Sequence, residues 1–511
     1  MGRDGVGGQS LLRLRTPAKG RRGGRGVGSA CVRERAMTRT VLIVSTDYPP
    51  LAGTNTRRLE AFARYLPEYG WQPRVLTLAL DDMALIESSW QGDGTVETVR
   101  VRTPGLQPWA RRLRGQRPRR TGGESQPEAP VDEMEPRSKR PVWKRLVGAA
   151  WGLAVAAERA TYVPDPRRLW AIAASQAALR LAETADIDAV LTSSPPFSAH
   201  FVGLRMKRRL GTPWIADFRD LWVGRPYREL PYAWQRPLDR AYEARVVKRA
   251  DHLVLASPGW VPLFEKRFGP ALLDRTTVIT NGYDSSICAT ERGNQGADHV
   301  DPKRQPITIG YTGALHDGES PWPVAKALAS VAAQLGADRV RSGLRIRLTG
   351  PGAPDWAELV AYLRERDLDD VVQFLGIRSH AESLAEQRAA DVLLILSAPP
   401  HEETIRGKSF EYMAAGKPIL ALLPERSTQA QILAPSRLAT VVQHGDVKSI
   451  AEILARYLES GVPAVQPNWD YIGRFERREL TGALAEVLNR CAGVVTRPGV
   501  GTTRHLSGAD L

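Results

Sequence analysis

The stretch ETIRGKSFEYMAAGKP, residues 403–418, decides how this sequence is interpreted. It follows an apolar run, Val392–Leu396, and precedes another, Ile419–Leu422. Short apolar runs of this kind are typical of parallel strands that are buried on both faces. The residues between them begin as a polar loop and continue as a short helix, so the pattern predicts a strand, a helix and a second parallel strand.

The same alternation extends over most of the chain, in two successive series. The first series predicts strands at Val41–Val44, Val75–Leu78, Ala189–Thr192, Trp214–Ala216, His252–Leu255 and Thr277–Ile279. The second begins with Ile307–Tyr311, Leu344–Leu348 and Val371–Phe374 and ends with the two runs named above. Two β/α series predict the α/β class, with two Rossmann-like, doubly wound domains facing a cleft. Ligands of such sheets bind beyond the carboxyl ends of the strands.

Composition shifts along the chain predict where the domains begin and end. The predicted order is a disordered basic extension (1–38), an N-terminal domain (39–291) with an insertion at about 107–140, a linker (292–305), a C-terminal domain (306–470), a terminal helix (471–491) and a disordered tail (492–511). The extension and the tail are rich in Gly and lack an apolar period. Met37 lies just before the first predicted strand and is a candidate start residue.

Charge and cysteine content narrow the function classes. The chain of 511 residues has a net charge of +15, which favours anionic partners such as nucleotides, acidic lipids or nucleic acid. Its three cysteines, Cys31, Cys288 and Cys491, lie far apart, without the spacing of a disulfide framework or a metal site. This fits a reducing, cytoplasmic location. No run approaches the ~20 apolar residues that a membrane-spanning helix needs.

A basic segment in the insertion allows two interpretations. Six arginines lie between Arg111 and Arg120, with Trp109 before them and Trp143 after the insertion. Basic residues with interfacial tryptophans suit a peripheral contact with an anionic membrane, here its inner face. A solvated loop is the alternative, and the sequence does not decide between them.

The chemistry of the quoted stretch suits a polyhydroxylated diphosphate. Gly407 leaves backbone N–H groups open at a helix start, where they favour phosphate, and Lys408 adds a positive charge. Glu403 lies in the loop, and Glu411 lies one turn into the helix, where its carboxylate can accept hydrogen bonds from hydroxyl groups.

This stretch resembles the acidic motif of retaining GT-B glycosyltransferases of the family 4 type, in which two glutamates are separated by seven residues. Glu403 and Glu411 have that spacing, and Ala414–Leu420 is also similar to the family. The resemblance covers about residues 39–490. It implies that Glu403 contacts the transferred sugar and Glu411 the ribose of a nucleotide-sugar donor.

Other positions are similar to the family in part. Gly53, in the loop after the first strand, Gly313 and Gly350 are expected to let backbone approach the donor. Many relatives carry two bases after the first strand of the second domain to bind the diphosphate, but residues 313–319 contain neither. Arg406 and Lys408 are the substitutes that we expect.

A second departure concerns the loop after Trp214–Ala216. Arg219 stands where many relatives have a histidine facing the sugar, beside Asp220. Both residues are predicted to be catalytic. A structural pairing of Asp with Arg is the alternative for this loop.

The resemblance also implies a mechanism. The reaction retains the anomeric configuration without a protein nucleophile, and the leaving diphosphate helps to deprotonate the acceptor. The protein then supplies position and electrostatic stabilisation. We expect no metal and no cofactor beyond the nucleotide-sugar co-substrate, with a glycan or lipid-linked acceptor of envelope biosynthesis. The sugar, the nucleotide, the acceptor and the oligomeric state are not fixed by the sequence.

Two other nucleotide-binding motifs are excluded. Residues 407–409 imitate the end of a phosphate loop, but Glu402 stands where that motif needs glycine. The segment 47–58 has a single glycine, whereas a dinucleotide fingerprint needs three. Three alternatives remain open: a GT-B-type nucleotide-sugar epimerase, a sugar-nucleotide sensor without turnover, and a basic nucleic-acid-binding protein without catalysis.

Overall fold

The structure is a computed structural model. The described residues are 39–51, 54–83, 85–87, 94, 96–106, 108–109, 119–120, 152–224, 230, 232–285, 299–301, 306–315, 319–352, 355–397, 399 and 402–493. The predicted extension, Gly53, residues 316–318, residues 494–511 and most of the predicted insertion lie outside these ranges.

Parallel strands of the N-terminal half form a seven-stranded sheet in the order β4-β2-β1-β6-β7-β8-β9. Its strands are β1 (Arg39–Val44), β2 (Trp71–Leu78), β4 (Glu97–Val101), β6 (Ala189–Ser194), β7 (Trp214–Phe218), β8 (His252–Leu255) and β9 (Thr276–Val278). The short strands β3 (Leu85–Ile86) and β5 (Arg119–Arg120) pair separately. The central strands β1, β6, β7 and β8 have almost no exposed surface, as their continuous apolar runs predicted.

Helices cover both faces of this sheet. Residues 152–160 are helical, and the numbered helices of the N-terminal half are α1 (Thr54–Tyr65), α2 (Arg168–Thr184), α3 (His200–Leu210), α4 (Gln235–Arg249) and α5 (Val261–Phe268). One face packs against α2, α3, α4 and α5 in a single hydrophobic cluster. The opposite face packs against α1 and against a helix from the end of the chain, Arg477–Cys491.

The C-terminal half repeats the architecture in a parallel six-stranded sheet, ordered β12-β11-β10-β13-β14-β15. Its strands are β10 (Ile307–Thr312), β11 (Leu344–Thr349), β12 (Val372–Gly376), β13 (Val392–Leu396), β14 (Ile419–Leu422) and β15 (Ala439–Val442). This is the Rossmann order, with the switch point between β10 and β13. Its helices are α6 (Trp322–Leu335), α7 (Ala337–Gly343), α8 (Trp356–Arg364), α9 (His380–Ala389), α10 (Lys408–Ala414), α11 (Thr428–Leu433), α12 (Val447–Ser460), α13 (Trp469–Gly473) and α14 (Arg477–Cys491).

Sequence reasoning missed β4 and β15, and both are edge strands of their sheets. Most of their residues are partly or fully exposed. An edge strand is solvated on one side, so it does not need the continuous apolar run by which the central strands were found.

The chain crosses between the two halves twice, at neighbouring positions. The Tyr283 N–H donates to the carbonyl of Phe475 at 3.1 Å, and the Arg477 N–H donates to the carbonyl of Tyr283 at 2.9 Å. A Cβ at Gly282 would lie 2.2 Å from the Phe475 carbonyl oxygen, so the two segments are in direct backbone contact. In the predicted linker 292–305, Val300 already pairs with Val462 of the C-terminal half.

Helix α14 is therefore a structural part of the N-terminal half. Its Leu484 and Leu488 are fully buried in the same cluster as Leu59 and Phe62 of α1. The indole of Trp71 in β2 also donates to the Asn489 side chain at 3.0 Å. The sheet face that α14 covers would otherwise meet water.

We expect Leu484→Ala to destabilise the N-terminal half by about 2–5 kcal/mol, because truncating a buried leucine removes apolar burial and leaves a cavity. Chemical unfolding followed by tryptophan fluorescence measures this. Leu210→Ala is the control, since Leu210 is 52% exposed and its truncation should change stability by less than about 0.5 kcal/mol. Equal effects of the two substitutions would contradict the packing described for α14.

Candidate active site

Loops from the carboxyl edges of both sheets meet in the cleft. The hydroxyl of Ser257, which follows β8, donates to the backbone carbonyl of Glu403, which follows β13. A Cβ at Gly259 would lie 3.0 Å from the Glu403 Cα and 2.2 Å from the Thr428 hydroxyl. The predicted acidic loop of the C-terminal half is thus seated on the N-terminal half.

Two neighbouring strands of the C-terminal sheet are each followed directly by a glycine. Gly313 follows β10 with φ of +122°, and Gly350 follows β11 with φ of +142°. Both angles are positive and suit glycine alone. A Cβ at Gly350 would lie 2.1 Å from the Gly313 carbonyl oxygen, and one at Gly313 would lie 3.2 Å from the Lys408 Nζ. The structure therefore brings three of the predicted donor-binding residues together.

Lys408 lies beside Gly313, on the ring of Tyr311. Its Nζ lies 3.8 Å from the ring centroid and donates to the Tyr311 hydroxyl at 2.5 Å. The Tyr311 hydroxyl in turn donates to a carboxylate oxygen of Glu319 at 2.7 Å. The side chain of Glu319 is 1% exposed, and the other two are also largely buried.

Glu319 also pairs with Arg406. The Arg406 Nε lies 2.7 Å from the Glu319 Oε1. The N–H does not point along this line, so the contact is an ion pair and not a hydrogen bond. The Nη2 atom of Arg406 is buried and has no hydrogen-bond partner within the described ranges. Sequence reasoning found both bases and missed the acid between them, because only the fold brings residue 319 next to residues 406 and 408.

The electrostatics of Lys408 follow from this environment. Burial lowers the pKa of its ammonium to about 8, although the Glu319 carboxylate acts to raise it. Arg406 nearby lowers it further. The ammonium therefore titrates just above neutral pH.

Glu411 is held by two side chains that the sequence did not reveal. His380 Nε2 lies 3.1 Å from one carboxylate oxygen, and the Gln387 amide donates to the other at 3.3 Å. Both partners lie on α9, and the sequence alone does not specify which face of this helix packs against the sheet. Burial alone would raise the pKa of Glu411, but the His380 hydrogen bond and the charge of Arg477 outweigh it, so the pKa is lowered.

Glu403 is the less constrained of the two glutamates. It is partly buried, and the loop is fixed through its backbone carbonyl. In the described part of the chain, its carboxylate has no hydrogen-bond or ion-pair partner. A carboxylate in this position is open to a ligand.

On the N-terminal side of the cleft, Arg219 is enclosed. Its side chain is 0% exposed, and its Nη2 donates to the Asp47 carboxylate at 3.1 Å, while its Nε donates to the Ser194 carbonyl at 3.2 Å. Asp47, after β1, is 20% exposed. Asp220, the other residue predicted to be catalytic here, is partly buried at the end of β7. The polar group that this ion pair presents to the cleft is therefore the Asp47 carboxylate, and a catalytic role for Arg219 and Asp220 stays a prediction.

A second buried ion pair ties this side to the interdomain crossing. Arg58 of α1 pairs with Asp217 at 2.9 Å and also donates to the Ile279 carbonyl at 2.8 Å and to the Thr280 carbonyl. Arg58, Thr280, Gly407, Glu411 and Arg477 line a recess in the floor of the cleft. The floor thus connects α1, the crossing and the start of α10.

The described residues form neither a metal-binding cluster nor a membrane-spanning helix. Within those ranges, no group of three or more His, Cys, Asp or Glu side chains is placed to hold a metal ion. No helix formed by these residues is long and apolar enough to cross a membrane. The expectation that the reaction needs no metal stays a prediction.

Comparison with known families assigns both halves. The family model described as Glycosyltransferase Family 4 matches residues 135–287, and that described as Glycosyl transferases group 1 matches residues 306–460. Together they cover more than half of the chain. The chain belongs to the GT-B glycosyltransferases of the family 4 type. It is a transferase of glycosyl groups, and the predicted family and fold class are confirmed.

Solved structures agree with the fold of this glycosyltransferase. HepE of Anabaena in complex with UDP has a TM-score of 0.54 at 14% identity, covering 88% of this chain and 100% of that one. The lipopolysaccharide outer core galactosyltransferase WaaB has a TM-score of 0.53 at 12% identity, covering 88% and 99%. A glycosyltransferase from Rickettsia africae has a TM-score of 0.51 at 10% identity, covering 89% and 98%. No curated protein matches the chain in sequence.

We expect Gly350→Ala to destabilise the C-terminal half of the glycosyltransferase by about 1–3 kcal/mol, because alanine is strained at this φ and its Cβ would strike the Gly313 backbone. Thermal unfolding measures the change. The matched control is Gly445→Ala, where φ is ordinary and nothing lies within 4 Å of the added atom. Unchanged unfolding of both variants would show that the two glycine turns are not in contact.

Proposed function

We propose that this glycosyltransferase transfers a sugar from a nucleoside diphosphate sugar to a glycan or lipid-linked acceptor, with retention of the anomeric configuration. The observation that carries the proposal is the edge of the C-terminal sheet. There Lys408 and the side-chain-free turns at Gly313 and Gly350 adjoin the loop and helix of Glu403 and Glu411. A donor of this class has a diphosphate for the cation and hydroxyls for the carboxylates.

The donor half of the proposal is supported by chemistry and by a neighbour. A largely buried ammonium beside the exposed Gly313 turn suits a diphosphate, since charge-assisted hydrogen bonds to phosphate are strong. Glu411 accepts hydrogen bonds and is held ionised, so it suits ribose hydroxyls. HepE, which has the same fold, was solved in complex with UDP.

The catalytic contribution of the protein is then electrostatic. Negative charge develops on the diphosphate as the glycosidic bond breaks, and Lys408 and Arg406 would stabilise it. The departing oxygen takes the acceptor proton, which agrees with the resemblance to retaining enzymes. Glu403 would contact the transferred sugar, and neither glutamate needs to be a nucleophile or a general base in this scheme.

The acceptor side is proposed at the N-terminal edge of the cleft. Asp47 is the partly exposed carboxylate there, and Arg219 fixes its orientation. A carboxylate in this position suits acceptor hydroxyls. We also propose that the acceptor is an envelope glycan or glycolipid, on the basis of the family resemblance. We propose further that the enzyme acts in the cytoplasm at the inner face of the membrane, on the basis of that resemblance and of the basic insertion.

A panel of UDP-, GDP- and other nucleotide sugars tests the function, with released nucleotide as the readout. We expect one donor to release nucleotide. Glu411→Ala should lower kcat/KM for that donor at least about tenfold, because each charge-assisted hydrogen bond contributes about 1.5–3 kcal/mol. Glu452→Ala is the matched control, since that carboxylate is 63% exposed on α12, and it should retain wild-type kinetics.

The reaction products, and the ways in which the assay can fail, distinguish the proposed function from its three alternatives. Retention is tested by the anomeric NMR signals of the glycoside formed, and an inverted product would contradict the proposed stereochemistry. Release of nucleotide with a free, epimerised sugar and no acceptor product would identify an epimerase. Donor binding that never leads to turnover with a broad acceptor set would indicate a sensor, and salt-sensitive nucleic-acid binding without donor binding would favour the last alternative.

A further inference from the structure

We propose that Glu319 is a positioning residue, which holds the Lys408 ammonium beside the Gly313 turn and pairs with the Arg406 guanidinium, so that both cations meet the donor diphosphate. The inference rests on the proposed function and deepens it at the same site. It assigns a role to an acidic residue where an acid would ordinarily repel the phosphate.

The first observation is the burial of Glu319 between two cations. Its carboxylate lies 2.7 Å from the Arg406 Nε and 3.5 Å from the Lys408 Nζ, and its side chain is 1% exposed. A buried carboxylate is strongly unfavourable without such partners. The ion pairs therefore fix the two cations as firmly as they fix the acid.

The second observation is where the free donor atoms of the cations remain. Lys408 has three N–H donors, and Tyr311 and Glu319 occupy two of them, while the Nζ lies beside Gly313. The Nη2 of Arg406 is buried and has no hydrogen-bond partner within the described ranges. Each cation is thus anchored on one side by Glu319 and keeps hydrogen-bonding capacity for a second anion.

The third observation is the loop that carries Glu319. Glu319 follows the turn at Gly313, and the Tyr311 hydroxyl that binds its carboxylate belongs to β10. The Glu319 carboxylate therefore joins the end of β10 to the start of α10, in addition to the direct contact of Lys408 with Tyr311. Substitution of that carboxylate should loosen both cations together.

The pH dependence of nucleotide binding makes the positioning role of Glu319 measurable. Among the described residues, the charged groups that face Lys408 are Glu319, which raises its pKa, and Arg406, which lowers it, with the neutral hydroxyl of Tyr311 in contact. Burial raises the pKa of Tyr311 well above its ordinary value, so its hydroxyl stays protonated. A bound diphosphate favours charged Lys408, so binding takes up a proton at pH values above the pKa of the free enzyme, about 8.

The experiment is isothermal titration calorimetry of the full chain with UDP and with GDP, from about pH 6 to about pH 9.5, so that the window brackets both expected transitions, in buffers of different ionisation enthalpy. It gives affinity and proton uptake together. For the wild type we expect affinity to fall as pH rises through about 8. For Glu319→Gln we expect the fall and the proton uptake to move about one pH unit lower, with affinity about tenfold weaker at pH 8.

Three further variants make the result specific. In Lys408→Arg the proton uptake should vanish, because arginine does not titrate in this range. Glu319→Asp keeps the charge and should keep the wild-type pH profile better than Glu319→Gln. Glu452→Gln removes an exposed carboxylate of the same half and should change nothing. Thermal unfolding of each variant shows that it is folded.

The possible results separate the inference from the function. If the wild type binds a nucleotide and Glu319→Gln keeps the same affinity and pH profile, the positioning role is wrong and the proposed donor site stands. Uniformly weaker binding with an unshifted proton uptake would also overturn it. If the wild type binds no nucleotide, with or without sugar, the proposed function and the inference fail together.

Discussion

A parallel sheet has to be covered on both faces, and in this enzyme the N-terminal sheet is covered partly by the last helix of the chain. Helix α14 lies beside α1 on that sheet, so the chain must leave the N-terminal half at Tyr283 and return at Phe475–Arg477. The two crossings lie side by side and form the floor of the cleft. Because both sheets direct the carboxyl ends of their strands toward this cleft, the candidate site residues within the described ranges lie on loops or in the first turn of a helix around it.

Within that frame, the site depends on paired charges and not on isolated catalytic groups. Glu319 pairs with Lys408 and Arg406, Arg219 fixes Asp47, and Arg58 fixes Asp217. Each pair joins two different elements, so the charges also define loop positions. Glu403 is the exception, since its loop is held through the backbone and its carboxylate remains open within the described residues. This distribution suits a reaction in which the protein contributes position and field while the substrates supply the leaving group and the nucleophile.

The sequence predicts the central strands well because β1, β6, β7, β8, β10 and β13 are buried on both faces and therefore read as continuous apolar runs. It also predicts the start of α10, where Gly407, Lys408 and Glu411 follow such a strand. It does not predict the edge strands β4 and β15, whose residues are half-solvated, or the partners of the site residues. Glu319, His380 and Gln387 meet α10 only through tertiary contacts, and no local sequence pattern identifies them.

For Arg219 the sequence left two roles open, and the structure places its guanidinium in a buried ion pair. Gly53 lies outside the described residues, so its role stays a prediction.

A crystal structure of the enzyme with bound nucleoside diphosphate, using the nucleotide that its preferred donor releases, would locate the donor site directly. We expect the diphosphate at the turns of Gly313 and Gly350 within hydrogen-bond distance of Lys408, with the ribose hydroxyls at Glu411. A nucleotide bound outside the carboxyl edge of the C-terminal sheet, with Lys408 and Glu411 contacting only protein, would contradict this expectation.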